Sequence, residues 1–323
     1  MPFPASGLSP LRSIPLLALL VTTLAGQPAY AATVESCGRN VTIETPPSRA
    51  ASYGSNLTEI MLALGLEDRM AGFFGQGERI RAHSAALFPG GTGLAELQRG
   101  NPTLEAFLEN DIDFYFAGWS YGMRVGGDVT PESLAGFGIP VYELSESCIR
   151  LGRAERPSFD YLYRDLTNLA AIFAVPDRAA ALIEGYKARL ATVAQRLVGV
   201  TARPAVFIYD SGEKAAVSAG GYSMPQAIIE AAGGTNILAD VESSWVRAEW
   251  ETVVDRNPSA IVVVDYGNVT AQQKIAFLKS NPAFAAVEAV RHDRFLVLGY
   301  DDLTPGPRNV SAAERLAEFL HGD

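Results

Sequence analysis

Pro102-Thr103-Leu104-Glu105-Ala106-Phe107-Leu108-Glu109-Asn110-Asp111-Ile112-Asp113-Phe114-Tyr115-Phe116 decides the fold of this 323-residue chain, because its pattern returns once. The second copy is Glu249-Trp250-Glu251-Thr252-Val253-Val254-Asp255-Arg256-Asn257-Pro258-Ser259-Ala260-Ile261-Val262-Val263-Val264-Asp265. Each copy reads as a helix of one or two turns that opens with a carboxylate, breaks at Asn or Asn-Pro, and feeds a buried strand. Each strand then runs into an aromatic and glycine segment, Gly118-Trp119-Ser120-Tyr121-Gly122 in the first case and Tyr266-Gly267-Asn268 in the second. Two α/β lobes whose strand ends face each other enclose a cleft. Ligand capture is the function such a cleft suggests.

Outward from these copies, apolar runs alternate with amphipathic helices, the signature of α/β construction. Strands are expected at Ala50–Tyr53, Met70–Gly75, Ile112–Ala117 and Val141–Leu144, with a helix from Asn56 closed by Gly65. The middle is helical from Ser158 to Phe173 and again from Pro176 to Val198, Pro176 suiting a helix start. Leu182, Ile183, Tyr186, Leu190, Val193 and Leu197 form one apolar face. A helix of that length spans roughly 30 Å, enough to join two lobes. The alternation restarts with strands Ala205–Tyr209, Ile261–Asp265 and Phe295–Leu298, a helix Met224–Ala232, and a last helix capped by Ser311 with Glu314 three residues on. The expected architecture is α/β, with two Rossmann-like lobes at 32–157 and 201–323 and linking helices at 158–200.

Residues 1–31 read as a secretion leader: Arg12 precedes the apolar run Ile14–Gly26, and Ala29-Tyr30-Ala31 is a small-x-small cleavage site. Gln27 stands where a lipoprotein leader would carry its lipidated Cys. The expectation is an exported, periplasmic, untethered protein with cleavage near Ala31. A net charge of −10, spread along the chain, argues against nucleic acid and anionic membranes as partners. In an exported chain, the two cysteines Cys37 and Cys148 point to a disulfide. A metal site would need a second pair or a nearby His, and a catalytic thiol would need a base.

The chain resembles the periplasmic substrate-binding proteins of ABC importers for iron-siderophores, cobalamin and haem. The resemblance rests on Thr58-Glu59-Ile60-Met61-Leu62-Ala63-Leu64-Gly65-Leu66-Glu67-Asp68-Arg69-Met70-Ala71-Gly72 and on the helix starts Leu104-Glu105 and Trp250-Glu251. Asn281-Pro282, Val290-Arg291-His292-Asp293-Arg294 and Pro305-Gly306-Pro307-Arg308 extend it over essentially the whole mature chain. It implies two lobes joined by one long helix, a metal-chelate ligand, and docking on an ABC permease. By motif position, Glu105 and Glu251 would be the docking carboxylates. The simpler reading of each is a carboxylate favouring a helix N-terminus.

Loops after strand ends nominate the cleft lining. They are Tyr53, Ser55 and Asn56; Phe73 and Phe74; Trp119, Tyr121 and Arg124; Tyr209 and Ser211; Tyr222 and Met224; Trp245; Tyr266; Tyr300, Asp301 and Asp302, with Arg308 a weaker addition. Aromatics with polar tips suit a large planar or macrocyclic chelate: a ferric siderophore first, then cobalamin or haem. Haem would want an axial Tyr or His, with Tyr53, Tyr209 or His83 available. No His/Cys/Asp/Glu cluster has ligand spacing, so any metal is expected to arrive inside its chelator, with no resident cofactor.

An enzyme reading competes. Gly118-Trp119-Ser120-Tyr121-Gly122 matches a nucleophile elbow, and Ser120, Asp265 and His292 can be written as a triad. Against it, Met123-Arg124-Val125-Gly126-Gly127-Asp128 is loop-like where an elbow needs a helix. A sensor or scavenger binding protein is a third reading. The sequence favours a monomeric transport receptor, not an enzyme, with modest lobe closure about a stiff helix.

Overall fold

The computed structural model describes residues 1–3, 30–84, 87–89, 93–153 and 155–322, so all but the ends of the expected leader lies outside the described residues. The fold begins with a hairpin, β1 (Ala32–Ser36) and β2 (Arg39–Ile43), closed at Cys37 and Gly38. Both turn residues have positive φ, 45° and 79°, the twist that two-residue hairpin turns require. A parallel sheet follows: β3 (Ala50–Tyr53), helix α1 (Gly54–Ala63), β4 (Met70–Phe74), the short α2 (Gly77–Arg79), β5 (Ala95–Gln98), α3 (Leu104–Glu109), β6 (Phe114–Trp119), β7 (Gly122–Met123), α4 (Pro131–Ala135) and β8 (Val141–Glu143). Strand order is β5-β4-β3-β6, with β8 on the outer side of β6 and β7 paired to its end.

Both faces of this sheet are covered, so β6 has no polar side to spare. Phe114 and Phe116 pack with Leu57, Leu162 and Leu166 on one face, while Tyr115 and Ala117 pack with Phe74 and Phe107 on the other. The period of two along the strand assigns alternate residues to two separate cores. A seven-residue 3-10 helix, Ser145–Leu151, leaves β8, and Cys148 within it is bonded to Cys37, 111 positions away, with Cα atoms 5.2 Å apart.

Helices α5 (Asp160–Ile172) and α6 (Pro176–Arg196) connect the lobes, separated by Ala174 at φ 58° and started again by Pro176. α6 is held at both ends. Arg178 donates to the carbonyls of Leu64 and Gly65 at the end of α1, at 2.9 and 2.6 Å. Arg189 forks onto Glu314, at 2.9 and 2.6 Å, and reaches the Ser311 hydroxyl at 2.7 Å. The second lobe repeats the plan with β9 (Ala205–Tyr209), β10 (Ala216–Ala219), α7 (Met224–Ala231), β11 (Thr235–Asn236), β12 (Trp245–Ala248), α8 (Trp250–Arg256), β13 (Ala260–Asp265), α9 (Ala271–Ser280), α10 (Glu288–Arg291), β14 (Phe295–Gly299), α11 (Tyr300–Leu303) and α12 (Asn309–His321). Its parallel sheet runs β11-β9-β13-β14, and β10 with β12 forms a separate antiparallel pair. The expected cap at Ser311 is corrected: α12 starts two residues earlier, so Ser311 and Glu314 lie on its first turns and serve Arg189 instead.

The lobes also meet directly. From the first turns of α1, the Ser55 hydroxyl donates to Asp301 at 2.5 Å and Asn56 donates to the Pro305 carbonyl at 2.9 Å. Arg308 grips Glu59 with two donors, one at 2.7 Å, and the Ser84 hydroxyl adds a third at 2.6 Å. Glu59 is fully buried, and burial raises its pKa against the opposing pull of Arg308. Arg308→Met should lower the unfolding free energy by about 3–5 kcal/mol in a denaturant titration, because it strands a buried carboxylate.

Asp165 on α5 is likewise fully buried; it accepts from the Tyr142 hydroxyl at 2.8 Å and from the Ser145 hydroxyl and amide at 2.7 and 3.1 Å. Burial outweighs these bonds and pushes its pKa up to about 7. A folded-state value above the unfolded one means its contribution is complete at low pH and is lost as pH rises through 7. Across pH 4 to 7, wild-type stability should therefore fall more steeply than that of Asp165→Asn, by about one proton in linkage slope.

Candidate functional site

The carboxyl ends of the two parallel sheets face each other across a cavity of about 200 Å³. Trp119, at the end of β6, and Tyr121, in the turn to β7, come from the first lobe, together with Glu146, Ser147, Ile149 and Arg150 of the 3-10 helix. Asp210 after β9, Ser244 and Trp245 at β12, Tyr266 after β13 and Tyr300 after β14 close it from the second lobe. Strand ends supply these positions because the strand interiors are committed to the cores.

Two buried carboxylates set the electrostatics. Glu146, 3 % exposed, crosses the cleft: its carboxylate accepts from the Met224 amide at 3.3 Å and the Ser244 hydroxyl at 3.0 Å, and from Tyr121 at 3.4 Å. Burial raises its pKa, with the bonds from Ser244, Met224 and Tyr121 and the charge of Arg150 pulling the other way. Asp210 is also raised by burial, opposed by the Ser211 hydroxyl at 2.8 Å and by the charges of Lys274 and Arg79. Arg150 is exposed and has no hydrogen bond or ion pair among the described residues. It is a cation available to a ligand.

A second contact spans the lobes. Tyr266 and Tyr300 stack with centroids 4.6 Å apart, and the Arg79 guanidinium lies 4.8 Å from each centroid. Such a cation–aromatic contact, here partly exposed, contributes about 0.5–1 kcal/mol. Behind the pair, buried Lys274 donates to the carbonyls of Val264 and Tyr266 at 2.7 and 2.8 Å, holding the end of β13 in place; desolvation lowers its pKa.

Of the residues nominated from the sequence, Trp119, Tyr121, Trp245, Tyr266 and Tyr300 come together in this cavity. Tyr53 is half-buried beside it, its hydroxyl on Asn101 at 3.1 Å. Ser211 reaches it only through Asp210. Phe74 and Tyr209 are corrected: each is the last residue of its strand and points into a core, Phe74 against Phe107 at 4.8 Å and Tyr209 against Trp250 at 5.2 Å. Asn56 is a contact between lobes, not a lining residue. Arg124 borders a different surface cavity with Asn101 and Asp128, and Tyr222 lines neither. Glu146, Arg150, Asp210, Ser244 and Arg79 were not nominated. All but Ser244 follow strand ends; the strand-end rule nominated other polar residues, among them Ser55, Arg124 and Ser211, and passed over these. His83 of the haem reading lies where no side chain is described.

Ser120 sits at φ 75° in a tight turn that leads into β7, not into a helix. It shares no hydrogen bond with Asp265 or His292 among the described residues, and His292 is exposed. No group of three or more His, Cys, Asp and Glu that could hold a metal ion occurs among the described residues. No described helix is long and apolar enough to cross a membrane. Glu105 and Glu251 occupy the first turns of α3 and α8, exposed and without side-chain partners among the described residues.

Known proteins share this arrangement. The family described as periplasmic binding protein matches residues 51–301. A periplasmic binding protein from Veillonella parvula is 27 % identical with a TM-score of 0.78, over 91 % of this chain and 98 % of that one. An ABC-type Fe3+-hydroxamate transport system protein from Saccharomonospora viridis is 25 % identical with a TM-score of 0.74, over 90 % and 98 %. A cobalamin-binding protein of Halobacterium salinarum is 26 % identical over 291 residues, 87 % of this chain and 71 % of that protein. With two α/β lobes, a joining helix and a cleft at the strand ends, the chain belongs to the periplasmic binding protein family, whose members bind solutes and are not enzymes.

Proposed function

We propose that the protein captures a metal chelate, a ferric siderophore in the first instance, and presents it to an ABC permease after its leader has been removed on export. The observation that carries this is the cleft wall: five aromatic side chains with polar tips, beside an exposed arginine that has no hydrogen bond or ion pair among the described residues, at the facing ends of two sheets. Rings of this kind offer rigid apolar area at little entropic cost, as a bulky chelate requires. Likeness to a ferric-hydroxamate transport protein over nine-tenths of the chain supports that cargo, and a comparable likeness to a cobalamin-binding protein makes cobalamin the alternative.

The cavity of about 200 Å³ is smaller than the ~300–1,000 Å³ of sites for drug-sized ligands. A chelate therefore enters by parting the Glu146 and Arg79 contacts. Hydrogen bonds to a carboxylate are worth about 1.5–3 kcal/mol each and the cation–aromatic contact about 0.5–1 kcal/mol, costs that the contacts of a bulky chelate can offset. The lobes keep their attachment through Glu59 and Arg308 and through α6, which favours a small motion over a wide one.

Glu105 and Glu251 suit permease docking. Each opens a short helix that returns to the start of a parallel strand, so both sit at equivalent places in the two lobes. Charge pairs at matched positions fix register on a partner and select against misdocking. A monomer is the form this reading requires.

Thermal unfolding with ferric hydroxamate, ferric catecholate, cobalamin, haemin and bare Fe3+ tests the cargo. Ferric hydroxamate at 100 times its dissociation constant should add about 2.7 kcal/mol of stability. A response to cobalamin or haemin alone reassigns the cargo, and silence from every chelate overturns the reading. For docking, Glu105→Lys combined with Glu251→Lys should abolish uptake in cells while chelate affinity stays at the wild-type value. Uptake that survives both reversals removes these residues from the permease contact.

A further inference from the structure

We infer that the amino-terminal hairpin β1–β2, which lies outside the span matched by the family, is a strut that positions the ligand-facing wall of the cleft. The wall in question is the 3-10 helix Ser145–Leu151, which places Glu146 and Arg150 in the cavity. Seven residues is long for a 3-10 helix, whose bonding geometry rarely sustains more than three or four. Such a segment keeps its shape only if something outside it supplies restraint.

The hairpin supplies that restraint at both ends of one short stretch. Cys37, in the hairpin turn, is bonded to Cys148, the fourth residue of the 3-10 helix. Just before the helix, buried Glu143 receives the Ser36 hydroxyl at 2.8 Å and Arg39 at 2.5 Å through one carboxylate oxygen. Its other oxygen accepts the indole N–H of Trp119 at 2.8 Å, and Trp119 is itself a cleft residue. The Ser36 hydroxyl also receives the Glu143 amide, at 2.8 Å. One carboxylate thus joins the hairpin to the cleft's indole, and one cystine joins it to the turn bearing Glu146.

The hairpin has no strand pairing to either large sheet, so these contacts, with its packing on α5, define its attachment. Ser36, Arg39, Cys37 and Glu143 are positioning residues: they touch no ligand and act through Trp119, Glu146 and Arg150. Releasing them leaves the 3-10 helix held by the Asp165 bonds to Ser145 and by the Glu146 bonds to Met224, Ser244 and Tyr121, and so loosens it while both sheets stay intact. The signature is local loosening of the wall, separable from loss of global stability.

Amide hydrogen exchange decides this without any ligand. It is measured on the oxidised protein, on protein reduced with dithiothreitol, on Cys37→Ala combined with Cys148→Ala, and on Arg39→Met, which keeps the cystine should the double variant fail to fold. Exchange across residues 145–151 should quicken by about tenfold while β13 and α12 in the other lobe stay at wild-type rates. Uniform acceleration across both lobes, or none at residues 145–151, overturns the strut.

A second arm, which rests on the chelate reading, follows ferric hydroxamate binding to Arg39→Met by titration at a temperature where the variant is folded. Affinity should fall about tenfold, and an unchanged affinity beside quickened exchange overturns the functional half of the inference. If the wild-type protein binds no chelate, the cargo assignment fails and the exchange result alone decides the strut.

Discussion

A parallel strand covered on both faces has no position where a charge rests without cost, and that constraint organises this protein. β6 and β13 give alternate side chains to separate cores, leaving only their carboxyl ends for chemistry. Because each lobe obeys the same rule, the polar and aromatic tips accumulate at two edges, and α6 holds those edges opposite each other. The cleft is the place where both sheets run out of core.

The carboxylates that do enter the interior follow from the same constraint. Glu59, Glu146, Asp165 and Asp210 all have raised pKa values with burial as the leading cause. Of these four, Glu59 alone has a direct ion pair among the described residues; the other three lean on hydroxyls and amides. Glu59 and Glu146 each reach across to the other lobe. The lobe interface is therefore sensitive to protonation in a way that apolar packing would not be.

How far the sequence could be read follows from these facts. β3, β6, β9 and β13 announce themselves as continuous apolar runs, and α6 by its Pro start and its single apolar face. β1, β2, β5 and β12 do not, since they are short and half-exposed and alternate with polar residues such as Thr33, Glu35 and Arg247. Within the site, Trp119 and Tyr266 were legible, while Phe74 and Tyr209 fell one position on the wrong side of the strand end, where a period of two reverses the direction of the side chain. Glu146 and Arg150 were hidden because Ser145–Leu151 resembles an ordinary surface loop. The contacts that make it a cleft wall come from distant residues, Cys37 and Ser36 more than 100 positions earlier and Met224 and Ser244 in the other lobe.

Arg79 has a consequence for selectivity. Its guanidinium lies over the rings of Tyr266 and Tyr300, so a solute stacking there would first have to displace it. Arg79 would then compete with the solute from a tether, at high local concentration. Apparent affinity is lower than intrinsic affinity by the fraction of molecules in which the rings are vacant. Small planar solutes that offer no more than stacking gain little from the exchange, whereas a ligand with further contacts overcomes it. On the proposed reading the arginine would set a threshold that contacts beyond stacking must overcome.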